Sequence, residues 1–225
     1  MITTATIPVP GFERDFYDWT ARHAAKVAAA RARNHRLILV GDSITHLFEG
    51  DPQCPGAFGA DLWQRYIANH GLNLGFGFDR TQNVLWRLDQ GELDGQTPDI
   101  AVVMIGTNNL AEGGSVPAST PAQTVDGIIA IGERLHRQAA RVIVMSILPR
   151  STPGDPLRGR IVEANRLLAE HSVPRSWMEL IDIGPAFLDA EGCIPPHLMA
   201  DGCHPTTDGY RIWLAALAAR GCLLA

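Results

Sequence analysis

Five short, mostly apolar segments, each followed by a stretch of helical pattern, constrain this chain more than any other feature. They are Leu37–Val40, Leu72–Gly75, Asp99–Gly106, Val142–Leu148 and Met178–Ile183. Runs such as Leu37-Ile38-Leu39-Val40 and Ile100-Ala101-Val102-Val103-Met104-Ile105 are continuously apolar rather than alternating. That pattern belongs to strands covered on both faces. Between them lie segments with apolar residues at helical spacing. Val84, Leu85 and Leu88 mark a helix over 81–88, after a short one over 61–69. Val125, Ile128, Ile129 and Leu135 stripe 121–138, and Ile161, Ala164, Leu167 and Leu168 stripe 156–171. Tyr210, Trp213, Leu214 and Leu217 do the same for the last helix. Residues 11–35, with Phe16, Trp19, His23, Ala24 and Val27 in register, read as an amphipathic N-terminal helix. Strand–helix alternation means a parallel sheet with right-handed crossovers, an α/β fold. The expected organisation is a helical segment, 1–35, packed on the same domain that residues 36–225 form, with no second domain.

Composition narrows the partners. The 225 residues carry a net charge of −5 and no run of Lys or Arg. This argues against nucleic acid and against an anionic membrane surface as partners. No basic leader precedes an apolar stretch, and no apolar run approaches the ~20 residues of a membrane span. A cytoplasmic location is the expectation. The four cysteines, Cys54, Cys193, Cys203 and Cys222, show no metal-type spacing and no CxxC. Free thiols are then the default.

Three strands end in polar, glycine-containing turns, and a parallel sheet gathers such ends at one edge. Leu37–Val40 stops in Gly41-Asp42-Ser43, where a strand hands over to a helix. Ligands bind at such places in open α/β sheets. Ser43 reads there as a nucleophile or, more simply, as a helix cap. Leu72–Leu74 ends at Gly75, and the third strand ends at Gly106-Thr107-Asn108-Asn109. A fourth piece, Asp201-Gly202-Cys203-His204, precedes the last helix. Three residues separate Asp201 from His204, so the carboxylate can bond imidazole Nδ1–H and leave Nε2 to take a proton. Ser43, His204 and Asp201 thus fill the roles of nucleophile, base and orienter. The backbone N–H groups of Ser43 and Gly75 and the amide of Asn108 are the candidate oxyanion donors. Taken singly, Gly75 is a turn glycine, Asn108 a loop cap and His204 an ordinary histidine; their conjunction carries the reading. Two other readings compete. One is a non-catalytic module holding an anion at the Ser43 helix start. The other is a metal-dependent hydrolase drawing on His46, His70, Asp79 and His204, whose spacing matches no ligand motif. His46 itself reads as a surface or capping side chain.

Gly41-Asp42-Ser43, Gly75, Gly106-Thr107-Asn108-Asn109 and Asp201-Gly202-Cys203-His204 resemble, in order, the four blocks of the SGNH (GDSL-like) hydrolases. Leu74-Gly75-Phe76-Gly77, Thr81–Leu88, Gly91-Glu92-Leu93, Leu148-Pro149-Arg150 and Gly209-Tyr210 resemble the catalytic subunits of intracellular platelet-activating factor acetylhydrolase. The resemblance implies a flavodoxin-like three-layer α/β/α sandwich with a five-stranded parallel sheet in the order 2-1-3-4-5. It implies a serine esterase that uses no metal or cofactor and works through an acyl-enzyme on a small-molecule ester. By analogy alone it implies a homodimer. Carried over from the subgroup, Ile44, Thr107 and Cys203 crowd the acyl group, which suggests acetyl. Phe78 and Arg80 depart from the subgroup, which has smaller residues there. They would narrow the alcohol side or give it a cation, so sugar esters and phospholipid or aryl esters both stay open.

Overall fold

The computed structural model describes residues 4–12, 17–54, 56–112 and 116–223. Its strands are β1 Leu37–Gly41, β2 Gly71–Gly75, β3 Ile100–Met104, β4 Arg141–Met145 and β5 Met178–Ile181. They pair in parallel throughout, in the order β2-β1-β3-β4-β5. The fold is the α/β sandwich with the strand order that the resemblance implied. Helices α1 Trp19–Ala32, α2 Ser43–His46, α3 Ala60–Tyr66 and α4 Thr81–Arg87 alternate with the first strands. Helices α5 Thr107–Leu110, α6 Pro121–His136, α7 Pro156–Ser172 and α8 Thr207–Ala218 follow.

The continuous apolar runs are explained by two cores, one on each side of the sheet. Ile38, Val40, Leu74, Val103 and Val144 point to one face and meet α4, α6 and α7 through Val84, Ile128 and Ala164. Leu37, Leu39, Val102 and Ile143 point to the other and meet α3 and α8 through Trp63 and Trp213. Successive side chains of a strand alternate faces, so both cores draw on the same five-residue strands. Helix starts follow their side chains. Asp155 accepts from Leu157 N at 2.7 Å, and Thr120 and Gln123 form a capping box ahead of Pro121.

The first helix differs from the expectation of 11–35. It begins at Trp19, where the Asp18 carboxylate accepts from Ala21 N at 2.7 Å and caps it. Phe16 lies outside the described residues. Trp19 and Ala30 are buried, but Ala24 is exposed, and Arg22, His23 and Lys26 lie between the two buried ends. The reason is the acid beneath them. Glu49 accepts from Arg22 at 2.6 Å and from Lys26 at 2.9 Å, and Glu92 meets His23 at 3.1 Å. This helix therefore docks by charge as much as by apolar area. The fourth helix stops at Arg87, one residue short of the expected end, and gives way to a kinked turn over Leu88–Glu92 with Gly91 at φ 102°. Among the described residues no helix is long and apolar enough to cross a membrane.

Candidate active site

The site is built at the end of β1, in the middle of the β2-β1-β3 trio. Gly41 aligns with Gly75 on one side and Met104 on the other. A Cβ at Gly41 would stand 2.1 Å from Thr45 Oγ1 and 2.2 Å from the Met104 carbonyl. Only glycine leaves α2 room to fold back over the strand end. The Asp42 carboxylate accepts from Ile44 N at 3.0 Å and starts that helix. Two further bonds clamp it: Tyr210 Oη donates to the Ile44 carbonyl at 2.6 Å, and Asn73 Nδ2 donates to the Thr45 carbonyl at 2.7 Å. A helix of four residues has little stability of its own, so α8 and β2 hold Ser43 in place.

Ser43 Oγ lies 2.8 Å from His204 Nε2, across 161 residues of sequence. His204 Nδ1 lies 2.6 Å from Asp201 Oδ2. The other carboxylate oxygen, Oδ1, accepts from the backbone N–H groups of Cys203 at 2.9 Å and His204 at 2.7 Å. Burial pushes the Asp201 carboxyl up, but the bonds from the backbone and ring of His204 and from Cys203 outweigh it and hold its pKa below the ordinary value. A carboxylate kept charged against Nδ1 fixes the tautomer whose free Nε2 faces Ser43. Cys203 Sγ lies 4.0 Å from the same Nε2. Burial pushes that thiol up to about 12, so it stays protonated.

Asn108, in the short helix after β3, donates from Nδ2 to the Asp79 carbonyl at 3.0 Å. An amide carries a second hydrogen on that nitrogen. Gly75 does not fit the donor role expected of it. Its N–H is donated to Asn73 Oδ1 at 2.8 Å, and its carbonyl accepts from Arg22 Nε at 2.9 Å. A Cβ there would stand 2.2 Å from His46 N. Gly75 is a close-packing glycine beneath α2. The chain continues from it into a turn that reaches Asn108, since the carbonyl Asn108 bonds belongs to Asp79. Phe78, just before, sits at φ 64°, a region that strains a bulky residue. Nothing in an aromatic side chain announces that backbone.

Ile44 and Thr107 are buried next in sequence to Ser43 and Asn108, and Cys203 is half-buried next to His204. Phe78 and Arg80 line a cavity of about 580 Å³ together with Asn108 and Arg150. Arg150, the last residue of Leu148-Pro149-Arg150, approaches Thr107 Oγ1 at 3.5 Å.

Several buried charges surround the site. Arg87 is wholly buried and donates to Asp79 at 2.7 Å, to Glu92, and to the Leu74 carbonyl at 3.2 Å. Trp19 Nε1 donates to the other Asp79 oxygen at 2.9 Å. Burial raises Asp79 to about 6 against the pull of Arg87, and raises Asp42 to about 7. His46 is buried rather than a surface or capping group, with Tyr17 edge-on to its ring at 5.2 Å. Burial, aided by Arg22, Lys26 and Arg87, lowers it to about 2, so its ring is neutral. The set His46, His70, Asp79 and His204 does not assemble. His70 precedes the start of β2, at the sheet edge opposite His204, and Asp79 is taken up by Arg87 and Trp19. Among the described residues no cluster of three or more His, Cys, Asp or Glu side chains could hold a metal ion. The four cysteines are free thiols.

Comparison with known proteins adds the family. The family model described as GDSL-like Lipase/Acylhydrolase family matches residues 39–212. The human platelet-activating factor acetylhydrolase IB subunit alpha1 is 33% identical over 195 residues, covering 85% of this chain and 78% of that protein. The crystal structure of a putative acylhydrolase from Bacteroides fragilis superposes with a TM-score of 0.72 at 20% identity, covering 92% of this chain and 97% of that one. That of Axe2, an acetylxylan esterase from Geobacillus stearothermophilus, superposes with a TM-score of 0.63 at 17% identity, covering 82% and 93%.

Proposed function

We propose that this chain, which belongs to the GDSL-like lipase/acylhydrolase family and is a carboxylic ester hydrolase, removes a short acyl group, acetyl first, through an acyl-enzyme on Ser43. The observation that carries the reading is the pair of contacts at His204, 2.8 Å to Ser43 Oγ and 2.6 Å to Asp201 Oδ2. In the first half-reaction Ser43 Oγ attacks the ester carbonyl and its proton passes to Nε2. The tetrahedral oxyanion then collapses, and the leaving alkoxide takes that proton from Nε2. In the second half a water attacks the acyl carbon, gives its proton to Nε2 and releases the acid, with the proton returning to Ser43 Oγ. Asp201 stabilises the imidazolium in both halves. The donors we assign to the oxyanion are the Ser43 N–H, the second Nδ2 hydrogen of Asn108 and the Phe78 N–H. Phe78 is assigned because its turn lies against Asn108, whose Nδ2 donates to the Asp79 carbonyl at 3.0 Å. Ile44, Thr107 and Cys203 close in on the acyl carbon, which favours acetyl over longer chains.

The test is a series of p-nitrophenyl esters, acetate to octanoate, with Ser43→Ala as the blank. Turnover that falls steeply with acyl length and vanishes in the variant is expected. A flat profile would remove the short-acyl assignment, and wild-type turnover in Ser43→Ala would remove the mechanism. A second reading, a carbohydrate O-acetylesterase, is favoured by the structural likeness to the acetylxylan esterase. Acetylated xylose oligomers added to the panel separate it from phospholipid and aryl esters. A dimeric assembly and an intracellular location are proposals by analogy with the acetylhydrolase subunits.

A further inference from the structure

Two guanidinium groups line the cavity beside Asn108, and among the described residues neither is paired with a carboxylate. Arg80 spends two N–H groups on backbone carbonyls, those of Val116 at 2.9 Å and Pro117 at 2.8 Å. Burial lowers its pKa. Among the described residues the Arg150 guanidinium meets Thr107 Oγ1 at 3.5 Å and no carboxylate. Its charge nonetheless acts on Asp42 and on Cys203, the neighbours of the nucleophile and the base. Arg150 therefore stands at the reacting end of the cavity, and Arg80 stands on the turn that Asn108 touches. Among the described residues the one acid on the wall, Glu112, is held by Arg160 at 2.9 Å. Facing them is an apolar rim in which Phe12 and Phe78 are 55% and 51% exposed. The chain as a whole carries a net charge of −5, so its far field repels anions. Two cations that no described carboxylate pairs directly reverse that sign locally. A fork of N–H donors suits a carboxylate or phosphate oxyanion and offers nothing comparable to a neutral hydroxyl.

We propose that this cavity is the leaving-group subsite, and that Arg80 and Arg150 select an alcohol carrying an oxyanion, carboxylate or phosphate, next to an apolar portion. The inference rests on the esterase reading and names its substrate class.

The experiment compares matched acetyl esters of charged and neutral alcohols. One pair is 3-acetoxybenzoate and 3-acetoxybenzamide. The other is the acetyl ester of glycerol phosphate and monoacetylglycerol. The readout is the ratio of kcat/KM, charged over neutral, within each pair. In at least one pair the wild-type ratio is expected to be about tenfold or more at low salt, the scale of one charge-assisted contact. It should narrow as salt screens the cations. In Arg150→Gln and in Arg80→Gln it should fall towards one, chiefly through KM of the charged ester. A preference confined to one pair identifies the oxyanion. A wild-type ratio of one or less in both pairs overturns the proposal without touching the esterase reading. So does a ratio that neither substitution changes. Arg80 also ties down the 116–117 backbone, so Arg150→Gln and the salt series stand as independent arms. Hydrolysis of none of the four esters, or equal hydrolysis by Ser43→Ala, would overturn the esterase reading and this inference with it.

Discussion

A hydroxyl and a thiol lie near one imidazole nitrogen, Ser43 Oγ at 2.8 Å and Cys203 Sγ at 4.0 Å. A thiol raised to about 12 is protonated at neutral pH and cannot stand in for the serine. Ser43→Ala should therefore lower kcat/KM by about 10³-fold or more, and Asp201→Asn by about 10²–10⁴-fold through the wrong imidazole tautomer. Steady-state hydrolysis of an aryl acetate reads both. Gly75→Ala separates packing from catalysis. The added carbon would meet His46 N at 2.2 Å, so unfolding should come at lower denaturant, by about 1–3 kcal/mol or more. An oxyanion role would instead leave stability intact and lower kcat. Asp42 carries a pH prediction. Its pKa is about 7 in the fold and 3.8 in the ordinary state, so the native protein holds the proton more firmly. Stability attributable to it then falls as pH rises from about 4 to about 7 and is flat above. Asp42→Asn keeps a cap and loses the titration. Relative to wild type it should gain about 3 kcal/mol between about pH 5 and about pH 8, read by urea unfolding at those two values. A variant equally offset at both values would contradict the buried charge.

The decisive element is the turn between β2 and α4, which carries Phe78, Asp79 and Arg80. Arg87 holds it from below, paired to Asp79 and Glu92, with the Phe76 ring 3.9 Å from its guanidinium. Replacing it by Met strands two buried carboxylates. Arg87→Met should cost about 3–5 kcal/mol in equilibrium unfolding, and a loss below about 1 kcal/mol would mean that the acids find other partners. This network was only partly legible in the sequence. The strands and the α6, α7 and α8 stripes declared themselves, because apolar runs and helical spacing follow from burial on fixed faces. The inner side of α1 did not. Arg22 and Lys26 lie off the stripe of Trp19, His23 and Val27, and no local spacing shows the Glu49 beneath them. Gly75 misled for a similar reason: a glycine that ends a turn and one that admits a neighbouring backbone are the same letter. His46 was misread as a surface group because its burial depends on Tyr17 and the first helix, both remote in sequence.

At the scale of the whole molecule, the parallel sheet is what unites residues as far apart as Ser43, Asn108 and His204. Every strand in the order β2-β1-β3-β4-β5 delivers its carboxyl end to one edge, and the loop before α8 comes to lie over it. The gathering of those turns was readable because strand direction follows from alternation with helices. The cavity was not, since its wall joins residues near positions 7–12 to Arg80, Glu112 and Arg150, and no periodicity links them. The central claim is that the acyl group passes through Ser43 Oγ, and it is tested most directly by trapping the intermediate. The protein is mixed with an acetyl ester, quenched in acid within its turnover time, digested and weighed by mass spectrometry. One acetyl group on the peptide containing Ser43, absent in Ser43→Ala, is the predicted result. Acetyl on Cys203 or His204 instead, or continued turnover by Ser43→Ala with no adduct at position 43, would contradict it.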